Sequence, residues 1–167
     1  MVANPSDKSS DKPTIYFYDE LSRMYYNQYQ IFLETDCQYF LYIEENYIVE
    51  TDIKILNILI DYDKDIIAPL LKKNNSIWSN YWGDLGSHGY YAKSFDYMDI
   101  VNYNKKGCWN VPYVNGFYLI KRNVIEKNIN DLKFKCRFNF EMSLCEYLRK
   151  KYIFIYLTNI KNFGYIE

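Results

Sequence analysis

At 167 residues and 20.3 kDa the chain has the length of one domain. Apolar residues make up 49 % of it and aromatics 20 %, which excludes a disordered polar chain and a low-complexity or collagen-like one. Twenty Lys plus Arg against 21 Asp plus Glu leave a net charge of −1, without the basic excess that a nucleic-acid partner calls for.

The single histidine, His88, removes two chemistries. A non-haem iron site needs two histidines and a carboxylate, and most hydrolytic zinc sites need at least two histidines, so no iron is expected. Cys37, Cys108, Cys136 and Cys145 form no CxxC pair, which argues against structural zinc, and read as mostly buried thiols. Cys108 and Cys136 are the two that an oxidising compartment would join. Residues 1–15 have no apolar leader segment, and no apolar run approaches the roughly 18 residues of a membrane span. The expectation is a soluble, cytoplasmic chain with no membrane partner.

Residues 1–13 are polar, hold two prolines and read as a disordered tail, leaving 14–167 as the domain. Asp19 is a candidate N-cap, and Leu21, Met24, Tyr25, Tyr29, Phe32 and Leu33 recur at helical spacing, which predicts a helix over 19–35. Residues 38–43 read as a buried strand, 51–60 as a helix capped by Thr51 and Asp52, and 65–70 as a second strand ended by Pro69. That order implies a right-handed parallel crossover, hence a parallel α/β sheet. Residues 71–99, with two tryptophans and three glycines, read as a long functional loop. MDIVNYN (98–104) and GCWNVPYVNGFYLIK (107–121) read as strands, with Pro112 marking an edge or bulge. Helices follow at 123–130 and 141–151, and a last strand at 152–157.

Three places carry candidate chemistry. Trp78 and Trp82 offer ring faces to sugar C–H groups and Asn80 an amide to hydroxyls, unless both tryptophans only plug the core under a long loop. Glu44-Glu45-Asn46 stands at the carboxyl end of the strand 38–43, where open α/β sheets bind ligands and where carboxylates hold divalent cations; a solvated turn would look the same. Glu141, in the first turn of a helix, is either a partner of the helix dipole or a base. His88, between Ser87 and Gly89, reads as an exposed loop residue.

Residues 66–120 resemble the glycosyltransferase-like domain of procollagen-lysine hydroxylases and are also similar to the N-terminal domain of procollagen galactosyltransferases. Trp78, Asn80, Trp82, Gly83, the GYY of 89–91, the DY of 96–97, the DI of 99–100 and the WNVPY of 109–113 carry the resemblance, which extends over about residues 20–167. It implies a Rossmann-like GT-A fold and a UDP-sugar donor with Mn²⁺ on an Asp-x-Asp step, the metal stabilising charge on the leaving diphosphate. On this chain the metal step falls on Glu44 and Asn46, the base on Glu141, and substrate contacts on Trp78, Asn80, Trp82, Gly83, Tyr90, Trp109 and Asn110. The chain departs from the pattern in its Glu-Glu-Asn step, in having no histidine after His88, and in having about 37 residues before its first strand, so that the nucleotide half reads as truncated. Two functions follow: transfer of galactose or glucose to a hydroxyl such as that of hydroxylysine on a collagen-like acceptor, or an accessory binding module without turnover. A sheet lacking its first strands exposes an edge, from which self-association or docking onto a partner is expected.

Overall fold

The computed structural model describes residues 11–50, 54–132 and 140–167. In chain order the elements are α1 (Asp11–Leu33), β1 (Tyr39–Ile43), β2 (Tyr47–Val49), α2 (Ile55–Asp61), β3 (Ile66–Pro69), β4 (Lys72–Lys73), β5 (Tyr81–Trp82), β6 (Asp84–Leu85), β7 (Tyr91–Ala92), α3 (Tyr97–Val101), β8 (Cys108–Val111), β9 (Tyr113–Val114), β10 (Phe117–Lys121), α4 (Arg122–Asn128), α5 (Phe140–Lys150), β11 (Ile155–Thr158) and β12 (Gly164–Ile166). The α/β class is the expected one.

The central sheet has the order β1-β10-β3-β11-β8. It is mixed rather than parallel: β3 and β11 run together, whereas β10 is antiparallel to both β1 and β3, and β8 to β11. The predicted crossover from β1 to β3 therefore spans a strand position that β10 fills. The carboxyl ends of β1, β3 and β11 share one rim, which places Glu44, Leu70 and Asn159 on the same side. Strand β1 is an edge, with Leu41 39 % and Ile43 44 % exposed.

Alternation along the strands splits the core between the two faces of the sheet. Ile66, Ala68, Tyr118, Ile120, Ile155 and Leu157 face one side, where α1, α5 and the aromatic segment from Tyr81 to Val101 pack. Ile67, Phe117 and Leu119 face the other with Leu59 of α2, Tyr47 and Phe163. On α1, Tyr25, Tyr29 and Phe32 are buried at helical spacing, whereas Met24, predicted on the same stripe, is exposed. The helix starts at Asp11, within the predicted tail, so Asp19 stands inside it and not at its cap. At its other end Arg122 donates to the carbonyl of Leu33, which the helix leaves open, and to those of Thr35 and Cys37 in the connection that follows.

Three further expectations change. MDIVNYN is no strand: Tyr97, Ile100 and Val101 are buried together, the i, i+3, i+4 spacing of α3, with Met98 outside. The segment 71–99 holds β4 to β7 and the start of α3 rather than a structureless loop. The last strand begins at Ile155, because Tyr152 has φ +59 and closes α5 with the Ile153 N–H donating to the Leu148 carbonyl. Thr51 and Asp52, predicted to cap α2, and Cys136 lie outside the described residues; Cys108 is a free thiol.

Candidate functional site

The turn Asn115–Gly116, between β9 and β10, ties two candidates together. Glu44 N–H donates to the Gly116 carbonyl at 2.7 Å, and Asn115 N–H to the Asn80 carbonyl at 3.0 Å. Gly116 has φ +68, and a Cβ there would lie 2.1 Å from the Tyr47 ring, so only glycine admits this approach.

Glu44 is half-buried directly after β1. Burial first, and then the charge of Glu141, raise its carboxyl above the ordinary value. Glu141, in the first turn of α5, is 5 % exposed and accepts the Tyr25 phenol at 2.7 Å. Tyr25 has one hydroxyl hydrogen, committed to Glu141, so the 2.5 Å contact with Tyr42 is a hydrogen bond donated by Tyr42. Donation thus runs from half-buried Tyr42 through Tyr25 to Glu141. Burial and the Glu141 charge hold the Tyr25 phenol far above its ordinary range, and burial pushes Tyr42 up to about 12. Tyr25 also stacks on Phe140, centroids 3.9 Å apart. Glu45 and Asn46, by contrast, are exposed in the turn that closes with Tyr47 N–H on the Glu44 carbonyl.

Divalent cations of the kind the resemblance implies need several hard oxygen ligands. Among the described residues no three His, Cys, Asp or Glu side chains converge. Glu44 and Asn46 supply one carboxylate and one amide, and the Glu141 carboxyl already receives Tyr25. Among the described residues this donor set does not fit manganese.

Of the two tryptophans, Trp78 faces outward and Trp82 packs against the core. Trp78 is 58 % exposed and meets half-buried Trp82 edge-on, centroids 5.9 Å apart at 89°. Lys93 lies over Trp78 at 5.9 Å and over Tyr97 at 5.0 Å. In the same segment Phe95 is fully exposed and Tyr90 69 % exposed. Trp82 is anchored on α5: it pairs with Tyr113, whose ring packs on Tyr91, and the Tyr91 hydroxyl donates to the Met142 carbonyl beside Glu141. Arg149 secures this joint by donating to the Tyr91 hydroxyl and to the Pro112 carbonyl.

Four predicted contacts have another use or place. Asn80 is wholly buried; its oxygen accepts Leu71 N–H at 2.9 Å and its NH₂ donates to the Pro69 carbonyl at 2.9 Å, so it clamps the segment to β3 and presents no amide to a ligand. Gly83 makes room for Ser94, whose Oγ a Cβ would meet at 2.2 Å. Trp109 donates its indole N–H to Asn159 at 3.2 Å beneath Lys105. It and exposed Asn110 sit on β8, four strand spacings and about 19 Å from β1, so the sheet order separates them from Glu44. His88 is exposed in a hairpin tip, as expected.

The sequence does not single out Tyr25, Tyr42, Arg149 or Asn159, because their partners lie 17 to 116 residues away. Asn159 is wholly buried and uses both ends of its amide, accepting from Gly107 N–H and Trp109 and donating to the carbonyls of Ile100 and Lys105.

Residues 3–167 match the family model described as glycosyltransferase family 25, N-terminal domain, and the chain belongs to that family. It is 40 % identical over 153 residues to the procollagen lysyl hydroxylase and glycosyltransferase of Acanthamoeba polyphaga mimivirus, an alignment covering 89 % of this chain and 17 % of that protein. It is 39 % identical over 130 residues to human procollagen-lysine,2-oxoglutarate 5-dioxygenase 2, covering 77 % of this chain and 18 % of that one. The chain thus spans under a fifth of the length of these relatives. In fold it is similar to the crystal structure of A197 from STIV, with a TM-score of 0.55 at 12 % identity over 83 % of this chain and 63 % of that one. Among the described residues no helix is long and apolar enough to cross a membrane.

Proposed function

We propose that this chain is a carbohydrate- or glycopeptide-recognising module of its family that binds without transferring sugar. The observation that carries this reading is the contrast between two surfaces. Trp78 stands at the surface with half-buried Trp82 beside it, whereas the carboxyl that would act as base, Glu141, is enclosed behind Tyr25 and Tyr42. The exposed Trp78 indole, set at right angles to half-buried Trp82, offers a face to a sugar ring, and the Tyr91–Met142 and Arg149 contacts brace the strand pair that carries Trp82, which lowers the cost of binding. A collagen-like polypeptide carrying sugar on a hydroxyl is the ligand its relatives' names suggest.

A titration of the whole chain followed by tryptophan fluorescence tests this, with galactose, glucose, UDP and a hydroxylysine-containing collagen-like peptide as ligands. Quenching by a sugar or peptide, abolished in Trp78→Ala with the fold intact by circular dichroism, is the expected result. Silence with every ligand overturns it.

Transfer is the second reading, favoured by one observation: Glu44 stands on the carboxyl rim within the field of Glu141. On it the chain would move galactose or glucose from a UDP-sugar to a hydroxyl. UDP release from UDP-galactose or UDP-glucose, with and without Mn²⁺ and a hydroxylysine peptide, separates the two. Release above a Glu44→Ala control would establish turnover and remove the binding-only reading.

A further inference from the structure

Two backbone hydrogen bonds fix which way the edge strand β1 points its polar groups. The Arg122 N–H donates to the Gln38 carbonyl at 2.8 Å and the Glu44 N–H to the Gly116 carbonyl at 2.7 Å, so the register of β1 on β10 runs one residue past each end of the strand. Hydrogen-bonded and non-hydrogen-bonded pairs alternate along an antiparallel ladder, and Gln38 and Glu44 are both of the first kind. Phe40 and Tyr42 therefore direct N–H and C=O at β10, whereas Tyr39, Leu41 and Ile43 direct theirs at the open edge. Among the described residues nothing bonds these outward groups.

The edge carries none of the devices that keep strands apart. No lysine, proline or bulge interrupts Tyr39–Ile43, and the exposed side chains of Leu41 and Ile43 stand on the α2 side of the sheet with Tyr39.

We infer that β1 pairs antiparallel with β1 of a second copy of this chain, about a two-fold axis at Leu41. That register sets Leu41 opposite Leu41, Tyr39 opposite Ile43 and Phe40 opposite Tyr42, so each outward N–H meets an outward C=O and every opposed pair is apolar or aromatic. Just beyond the strand, Gln38 of each copy stands opposite Glu44 of the other, an amide donor against a carboxylate. The second copy thus brings a group to the candidate site. Other registers fit worse. An axis at Phe40 opposes Asp36 to Glu44, two like charges, and an axis at Tyr42 sets the Glu44 carboxylate against Phe40. An axis between residues faces outward groups with inward ones. A strand of another protein could satisfy the same backbone; the match of this segment to itself under two-fold rotation selects a second copy. The pairing is independent of the reading given to the tryptophans.

Sedimentation velocity of the whole chain at rising concentration tests the inference. The parent should pass from monomer to dimer, and Leu41→Lys, which opposes two ammonium groups at the axis, should weaken the dimer at least tenfold with an unchanged circular dichroism spectrum. Phe154→Lys alters a more exposed apolar residue just ahead of β11, three strand positions from β1, and should dimerise like the parent. Register is read by mild oxidation in a Cys37→Ser background. Leu41→Cys meets itself at the axis and should form a covalent dimer, whereas Tyr39→Cys, offset from its own copy by four residues or about 13 Å of strand, should not. A parent that stays monomeric, a dimer indifferent to Leu41→Lys, or cross-linking of Tyr39→Cys as readily as of Leu41→Cys would each overturn the inference.

Discussion

The phenol of Tyr25 on α1 donates to the carboxyl of Glu141 on α5 across 116 residues of sequence, at 2.7 Å and out of reach of bulk water. This bond joins the first helix to the last, and the same pair stacks through Phe140. Tyr25→Phe keeps the stack and removes the donor from a buried carboxyl, so it should destabilise the fold by about 1–3 kcal/mol in urea denaturation. Combined with Glu141→Gln, the two changes should be non-additive, because they share one hydrogen bond. Strict additivity would show that the bond contributes nothing.

The raised Glu44 carboxyl has a defined sign in pH dependence. A carboxyl raised in the folded state binds its proton more tightly there than in the unfolded chain. Its contribution to stability is therefore fully present below the ordinary value of 4.5 and is lost as pH rises through the folded-state value. Glu44→Gln fixes the uncharged form. Relative to the parent, the variant should be more stable near neutral pH, and the advantage should vanish below the ordinary carboxyl range; parallel urea melts at the two pH values measure it.

Asn80 should behave as a structural residue. Asn80→Ala strips a partner from both Leu71 N–H and the Pro69 carbonyl, each buried, and should cost roughly 2–4 kcal/mol. Hydrogen exchange should report it locally, with the Leu71 amide losing protection before the amides of β11 do. A variant with parental stability would return the amide to the list of groups available to a ligand.

Much of the fold is legible in the sequence because it depends on local pattern. The apolar runs at 38–43 and 65–70 and the amphipathic stretch at 141–151 appear within a residue or two of β1, β3 and α5. The position of β10 between β1 and β3 is not local, so a parallel sheet is inferred where a mixed one forms. At the site, composition leaves open whether the tryptophans face a ligand or plug the core, and the structure divides them, Trp78 exposed and Trp82 half-buried against the core; the occupation of Asn80 and Trp109 by the chain's own polar groups is not legible at all. An amide looks the same in sequence whether it waits for a ligand or holds a backbone. MDIVNYN fails for a simpler reason: a short β-branched segment fits both periods, and burial of Tyr97 with Ile100 and Val101 selects the helix.

Thiol reactivity offers a check on the core. Burial pushes the Cys145 thiol up to about 12, where it faces the Val114 carbonyl, whereas Cys37 is exposed. In the native state iodoacetamide should label Cys37 readily and leave Cys145 untouched until denaturant is added. Early labelling of Cys145, read by peptide mass mapping, would mean that α5 opens independently of the sheet.

The interleaving of β10 also dictates a timetable for synthesis. Strands β1 and β3 are made within the first 69 residues, yet neither touches the other and both wait for a strand that begins at residue 117. A ribosome-bound chain that has emerged only as far as the aromatic hairpin therefore holds two unpaired apolar strands, and closure of long loops must precede their pairing. Nascent copies stalled before β10 emerges should be the protease-sensitive, chaperone-dependent form of this protein, and those stalled after β11 emerges the resistant one.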